Sequence, residues 1–135
     1  MATARLNTST DPAEYFRSKL EHEIYPGGLH VLLENKAALV YVIDVRDRQA
    51  YDDGHIPGSR SIPADELVSS LSTIPKDRLI VAYCSDSGCG LAPRAALELA
   101  EKGFRVQVLV GGVAEWSRHG FELEFTAGEA KSQAW

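Results

Sequence analysis

The chain has 135 residues, 44% of them hydrophobic, which suits a globular domain with a core of its own. Lys and Arg number 14 against 19 Asp and Glu, and the formal charge of −5 argues against a basic face for nucleic acid or anionic lipid. No apolar run reaches the roughly 18 residues of a membrane span, and Met1 to Asn7 hold no apolar signal segment, so no membrane partner and a cytoplasmic location are expected.

Residues 1–135 read as one unit, with an N-terminal helix over about 11–24, a core over about 29–121 and a polar tail over about 122–135. Ser9, Thr10 and Asp11 offer capping oxygens, Pro12 suits a first helical position, and Phe16, Leu20 and Ile24 recur at helical spacing. Pro26-Gly27-Gly28 breaks that pattern, and a second short helix follows through Leu29, Leu32 and Leu33. Leu39 to Ile43, Leu79 to Tyr83 and Val106 to Val110 are continuous apolar runs of the kind buried on both faces of a sheet, and Arg60 to Ile62 is a weaker one. Helical patterns lie between them at 65–71, 92–102 and 112–119, with Pro93 near the start of the second and Gly103 just past its end. Strands alternating with helices predict an α/β fold with a mostly parallel central sheet flanked by helices on both faces. Ligands of such sheets bind beyond the carboxyl ends of the strands, so the residues after each strand are the candidates.

The segment after the Leu79–Tyr83 run is the richest in chemistry: Cys84-Ser85-Asp86-Ser87-Gly88-Cys89-Gly90, then a helix carrying Arg94. Converging loop N–H groups and a helix N-terminus both favour a thiolate, which makes Cys84 a candidate nucleophile. The plainer reading is that a cysteine ending a buried strand is a small hydrophobe. Cys89, in mid-loop, is close enough in sequence for redox pairing with Cys84. His22, His30, His55 and His119 are scattered, so no metal site is expected. The partial match of Gly88 to Pro93 to a dinucleotide fingerprint fails at Pro93, and neither a phosphate-binding loop nor a serine nucleophile elbow is present, so no cofactor is implied.

Three motifs resemble the rhodanese-like family. They are Ile43-Asp44-Val45-Arg46 followed by Gly54-His55-Ile56-Pro57-Gly58 and Ile62-Pro63, then Tyr83-Cys84 with its loop and helix, and finally Gly111-Gly112-Val113-Ala114-Glu115-Trp116. They span about 39–120 in the family's order. The resemblance implies a sulfurtransferase. Cys84 would take sulfane sulfur from thiosulfate or a thiol persulfide, become a persulfide and pass the sulfur to a nucleophilic acceptor, which a protein thiol can be. Loop residues Ser85 to Gly90 would cradle the anion, with Arg94 and Arg46 as further binding residues. Arg46 reads equally as the partner of a neighbouring carboxylate, and Arg94 as an exposed residue beside Glu98. Asp44, His55 and Trp116 are expected to be structural. Departures from the pattern are a longer loop with Ala92 at the helix-cap position and Ser85 and Asp86 where thiosulfate users carry a base. They favour a persulfide on a small thiol or a protein over thiosulfate, and leave open Cys89 as the persulfide carrier. A rhodanese-like module that binds a partner or senses redox state, with little or no catalysis, is the alternative. A phosphatase or arsenate reductase is a minor one, because Arg94 stands five residues after Cys89 where that chemistry uses six.

Overall fold

The computed structural model describes residues 11–126, so the expectations for Ser9, Thr10 and the end of the tail lie outside the described residues. Helix α1 (Pro12–His22) starts where the sequence placed it, with the Asp11 carboxylate accepting from the Glu14 N–H. It stops earlier than expected. Glu23 turns extended, and Glu23–Ile24 forms strand β1 paired with the sheet, so Ile24 does not continue the helical stripe. Phe16 and Leu20, which the spacing assigned to a buried face, remain 57% and 68% exposed, since α1 packs over the sheet's edge. Pro26 does not only break a helix; it opens α2 (Pro26–Lys36) at a position where the missing N–H costs nothing, and Leu29 on that helix is buried.

Strands β2 (Val40–Asp44), β3 (Arg60–Ser61), β4 (Leu79–Tyr83) and β5 (Val106–Leu109) complete a five-stranded sheet in the order β1-β5-β4-β2-β3. Every pairing is parallel, as the continuous apolar runs required. Alternation along the strands divides the core between the two faces. Tyr41, Ile43, Ile80, Ala82 and Cys84 pack against Ala92, Ala95 and Leu99 of α4 (Leu91–Glu101). Val40, Val42, Val81 and Tyr83 pack against Leu29 of α2 and Trp116 of α5 (Gly112–Arg118). A large-to-small change at a buried residue such as Ile80 would cost about 2–5 kcal/mol. The fold is α/β with helices on both faces of a parallel sheet.

Two local expectations change. The segment expected as a helix over 65–71 is a pair of 3-10 turns, Ala64–Glu66 and Val68–Thr73. There the hydroxyls of Ser69 and Thr73 donate to the carbonyls three residues back, which competes with a regular helix. A one-turn helix, α3 (Arg48–Asp52), follows β2 and is capped by Asp47, whose Oδ1 accepts from the Ala50 N–H at 2.8 Å. Strand β4 lies between β5 and β2, so the chain leaving it at Cys84 emerges in the middle of the carboxyl edge.

Candidate active site

Cys84 continues the alternation of β4 and drops its side chain onto the α4 face, where it is 2% exposed. The loop beyond it is closed by its own turn: the Cys89 N–H donates to the Asp86 carbonyl at 3.2 Å, and the Gly88 N–H to Asp86 Oδ1 at 2.9 Å. The Asp86 carboxylate is therefore partly engaged within the loop. From below, the loop hangs on α5. The N–H groups of Val113 and Ala114 donate to the carbonyls of Cys84 and Ser85 at 3.0 and 2.9 Å. This approach is close enough that a Cβ at Gly112 would stand 2.4 Å from the Cys84 carbonyl oxygen, and Gly112 holds φ +61. Gly111, at φ +80, would drive a Cβ to 2.4 Å from that of Glu115. The glycine pair thus has a physical role: it lets a helix start directly beneath the loop backbone.

Helix α4 begins at Leu91 with Gly90 as its cap, not at the later position expected for an Ala92 cap. Pro93 falls in the first turn, where an N–H has no helical partner to lose. The early start brings two helical amides to the thiols. The N–H groups of Ala92 and Ser85 face the Cys84 sulfur, and those of Leu91 and Ser85 face the Cys89 sulfur. The Cys84 thiol donates to the Cys89 carbonyl oxygen at 3.5 Å, and the two neighbouring thiols perturb each other's ionisation. Burial, and after it the hydrogen bond to Cys89, pushes the Cys84 thiol up to about 11, against the pull of the two amides. Partial burial also works against ionisation of Cys89, but the Cys84 thiol and the N–H groups of Leu91 and Ser85 outweigh it and hold this thiol below its usual range. The two thiols are thus unequal, Cys84 held up and Cys89 held down.

Both sulfurs border a cavity of about 280 Å³, with Asp86, Ser87, Ala92, Gly111 and Gly112 around them. Lys19, Glu23 and Tyr25 complete part of its lining. Sequence reasoning missed these three, because nothing local ties the first helix to a loop some sixty residues later; only the β1–β5 pairing does. Of the expected residues, the structure brings together Cys84 to Gly90. Arg94 is exposed, with its guanidinium beside Gly90, and is not among the residues lining the cavity. Arg46 stands apart: its Nε and Nη2 donate to the Asp44 carboxylate, Nη2 at 2.5 Å, and Nη2 also to the Gly54 carbonyl at 2.8 Å. His55 stacks on Tyr51 at 3.7 Å and bonds the Tyr51 carbonyl, and the buried Trp116 donates from Nε1 to the Glu122 carbonyl at 2.8 Å. A larger cavity of about 600 Å³, beside His30, Trp116 and Phe121, includes neither cysteine. No cluster of three or more metal-binding side chains occurs among the described residues, and no described helix is long and apolar enough to cross a membrane.

The family model of the rhodanese-like domain matches residues 26–119. The chain belongs to the rhodanese-like family. Among its relatives is the HTH-type transcriptional regulator Rv0324 of Mycobacterium tuberculosis, 37% identical over 94 residues, or 70% of this chain and 42% of the regulator. The rhodanese-like sequence is also similar to the thiosulfate sulfurtransferase GlpE of Pseudomonas paraeruginosa, 33% identical over 109 residues, covering 80% of this chain and 94% of that one. The chain thus spans less than half of the first protein and nearly all of the second. Among solved structures, the BH2092 protein of Bacillus halodurans superposes with a TM-score of 0.78 at 33% identity, covering 86% of this chain and 88% of that one. The family assignment leaves helix α1 and strand β1, and with them Lys19 and Glu23, outside the matched residues.

Proposed function

We propose that the protein is a sulfurtransferase that carries sulfane sulfur on Cys84. The observation that supports this most is the placing of Cys84 at a cavity wall with the N–H groups of Ser85 and Ala92 on its sulfur. Two amides aimed at one sulfur stabilise an anion there more than a neutral thiol. The Cys84 proton leaves to solvent; Cys89, the more acidic of the pair, opposes that loss rather than assisting it. The Cys84 thiolate then attacks the outer sulfur of the donor. A Cys84–sulfur bond forms, the donor's sulfur–sulfur bond breaks, and the donor's remaining thiolate leaves with the bonding pair. The amides hold the persulfide until a nucleophilic acceptor, small or on a protein, removes the outer sulfur and returns Cys84 as a thiolate. Two free cysteines side by side suit a reducing compartment, and we place the reaction in the cytoplasm. The loop itself supplies Asp86 and no base, which favours a thiol persulfide over thiosulfate as donor.

The raised Cys84 thiol favours one competing reading, a binding or redox-sensing module that does not turn over. Intact mass separates the two after incubation with thiosulfate or glutathione persulfide. A one-sulfur gain in wild type and Cys89→Ser, lost in Cys84→Ser, is expected. Loss only in Cys89→Ser would move the persulfide to Cys89, and no gain with either donor would leave the module.

A further inference from the structure

The cysteine loop is unusual in having no positive side chain of its own, and the structure brings one from elsewhere. Lys19 is the single cation among the described residues lining the cavity, and it shares that lining with Glu23, its partner at 2.7 Å, and with both cysteines. Both belong to α1 and β1, which precede the residues matched by the family model. Their position is set by the sheet rather than by the loop. Glu23 pairs in register with Val108 and Ile24 with Leu109 at the end of β5, the Val110 N–H donates to the Ile24 carbonyl at 2.8 Å, and the Gln107 side chain holds the Glu21 carbonyl at 3.0 Å. Tyr25 continues the wall and also lines an adjoining cavity of about 310 Å³ that shares Asp86, Ser87, Val110 and Gly111 with the first.

Charge decides what this wall can read. One cation faces two carboxylates, Glu23 and Asp86, so the lining is net negative and a dianion such as thiosulfate gains little on entering. A molecule with one carboxylate and one ammonium is matched: its carboxylate meets Lys19 and its ammonium meets Glu23. Neither side chain is locked away, since Lys19 is 45% and Glu23 24% exposed, so both can exchange their mutual contact for the ligand. Building on the sulfur-transfer reading above, we infer that Lys19 and Glu23 form the donor-recognition site and that the donor is the persulfide of an amino-acid thiol, with the ammonium and carboxylate of one amino-acid end gripped by the pair. The donor's outer sulfur then lies toward Cys84, which lines the same cavity.

The test compares two donors that differ in one group. Cysteine persulfide carries both charges, while cysteamine persulfide keeps the ammonium and lacks the carboxylate. Loading of the reduced protein, followed by intact mass, is expected to favour cysteine persulfide, and Lys19→Met to lower the ratio of the two rates about fivefold, the scale of one exposed ion pair. Glu23→Gln should shift preference the other way, raising loading by thiosulfate relative to cysteine persulfide. An unchanged ratio in Lys19→Met overturns the site while leaving sulfur transfer in place. Binding of unreactive S-methylcysteine, read from amide chemical shifts of the wild-type and Lys19→Met chains, keeps the two ideas apart. Lys19-dependent shifts at Tyr25 and Gly111 in a protein that accepts no sulfur would retain the site and remove the sulfurtransferase; shifts that ignore Lys19 would overturn the site.

Discussion

Two polar segments leave the carboxyl edge of the sheet side by side, one after β2 and one after β4, and they differ in what their side chains have left over. After β2, the fully buried Asp44 accepts from the backbone and side chain of Arg46, and Arg46 also holds the Gly54 carbonyl. Nearby, the Tyr83 hydroxyl accepts from the Ile56 N–H at 3.0 Å and shares a hydrogen bond with Ser59, and Tyr51 donates to the Ser59 carbonyl. Each of these groups has a protein partner, and the network fixes the turn around Gly54 to Ser59. After β4 the backbone is just as firmly held, by α5 from below and by the Asp86 turn, yet the two sulfurs border open space. The same residue classes, charged and nucleophilic side chains at strand ends, give a brace in one case and a candidate reaction site in the other. What separates them is whether a chemically competent atom remains after the protein's own bonds are made.

That contrast can be broken. The largest effect is expected from Arg46→Met, which leaves the Asp44 carboxylate buried without its counter-charge and should cost about 3–5 kcal/mol in urea unfolding. Sulfur loading per folded molecule should stay at the wild-type level; a fall there would mean that the brace takes part in the chemistry. Gly112→Ala tests the other loop. A side chain at φ +61 that also meets the Cys84 carbonyl should cost about 2–3 kcal/mol and, unlike the Arg46 change, should slow loading in the molecules that remain folded.

Thiolate absorbance across pH sharpens the comparison of the cysteines themselves. Cys89 should ionise first and Cys84 near 11. Because the Cys89 partner opposes ionisation of Cys84, Cys89→Ser should lower the Cys84 titration, and loading should then reach its plateau at a lower pH. The reciprocal change, Cys84→Ser, removes a donor from Cys89 and should raise its titration. Movement in the opposite senses would show that the thiols do not perturb each other as described. The smallest effect is expected for Asp86→Asn, which keeps an acceptor for the Gly88 N–H and removes the charge. Stability should change by less than about 0.5 kcal/mol, while thiosulfate loading should rise by less than about fivefold.

How much of this was legible in the sequence follows from where each signal resides. The β2, β4 and β5 runs are dense in β-branched residues and sit between turn residues, so local pattern sufficed to find them and to give their parallel character. Ile24 was misplaced because its spacing from Leu20 fits a helix; it is a strand residue because the edge of β5 is there to receive it, which is information from some eighty residues away. The two cysteines could be singled out as a pair, but not their polarity, which depends on burial and on which amides of α4 face which sulfur. Arg46 shows the limit from the other side. Its type and position fit an anion site as well as a brace, and only the proximity of Asp44 and the Gly54 carbonyl distinguishes them. Likewise Gly111-Gly112 was visible as a motif, but its reason, the closeness of α5 to the Cys84 carbonyl, is a three-dimensional fact.

Strand β1 is two residues long and lies at the edge of the sheet, yet it is the rivet that holds α1, and so Lys19 and Tyr25, against the cavity. The cysteine loop is tied into the centre of the sheet, whereas the part of the lining that carries Lys19 is fastened by a few bonds along one margin. Such a margin opens at a lower free energy than the core. The amides that join β1 to β5 should therefore exchange with solvent well before those of β2 and β4, and a rise in temperature would dismantle the choice of donor while the cysteines remain in place.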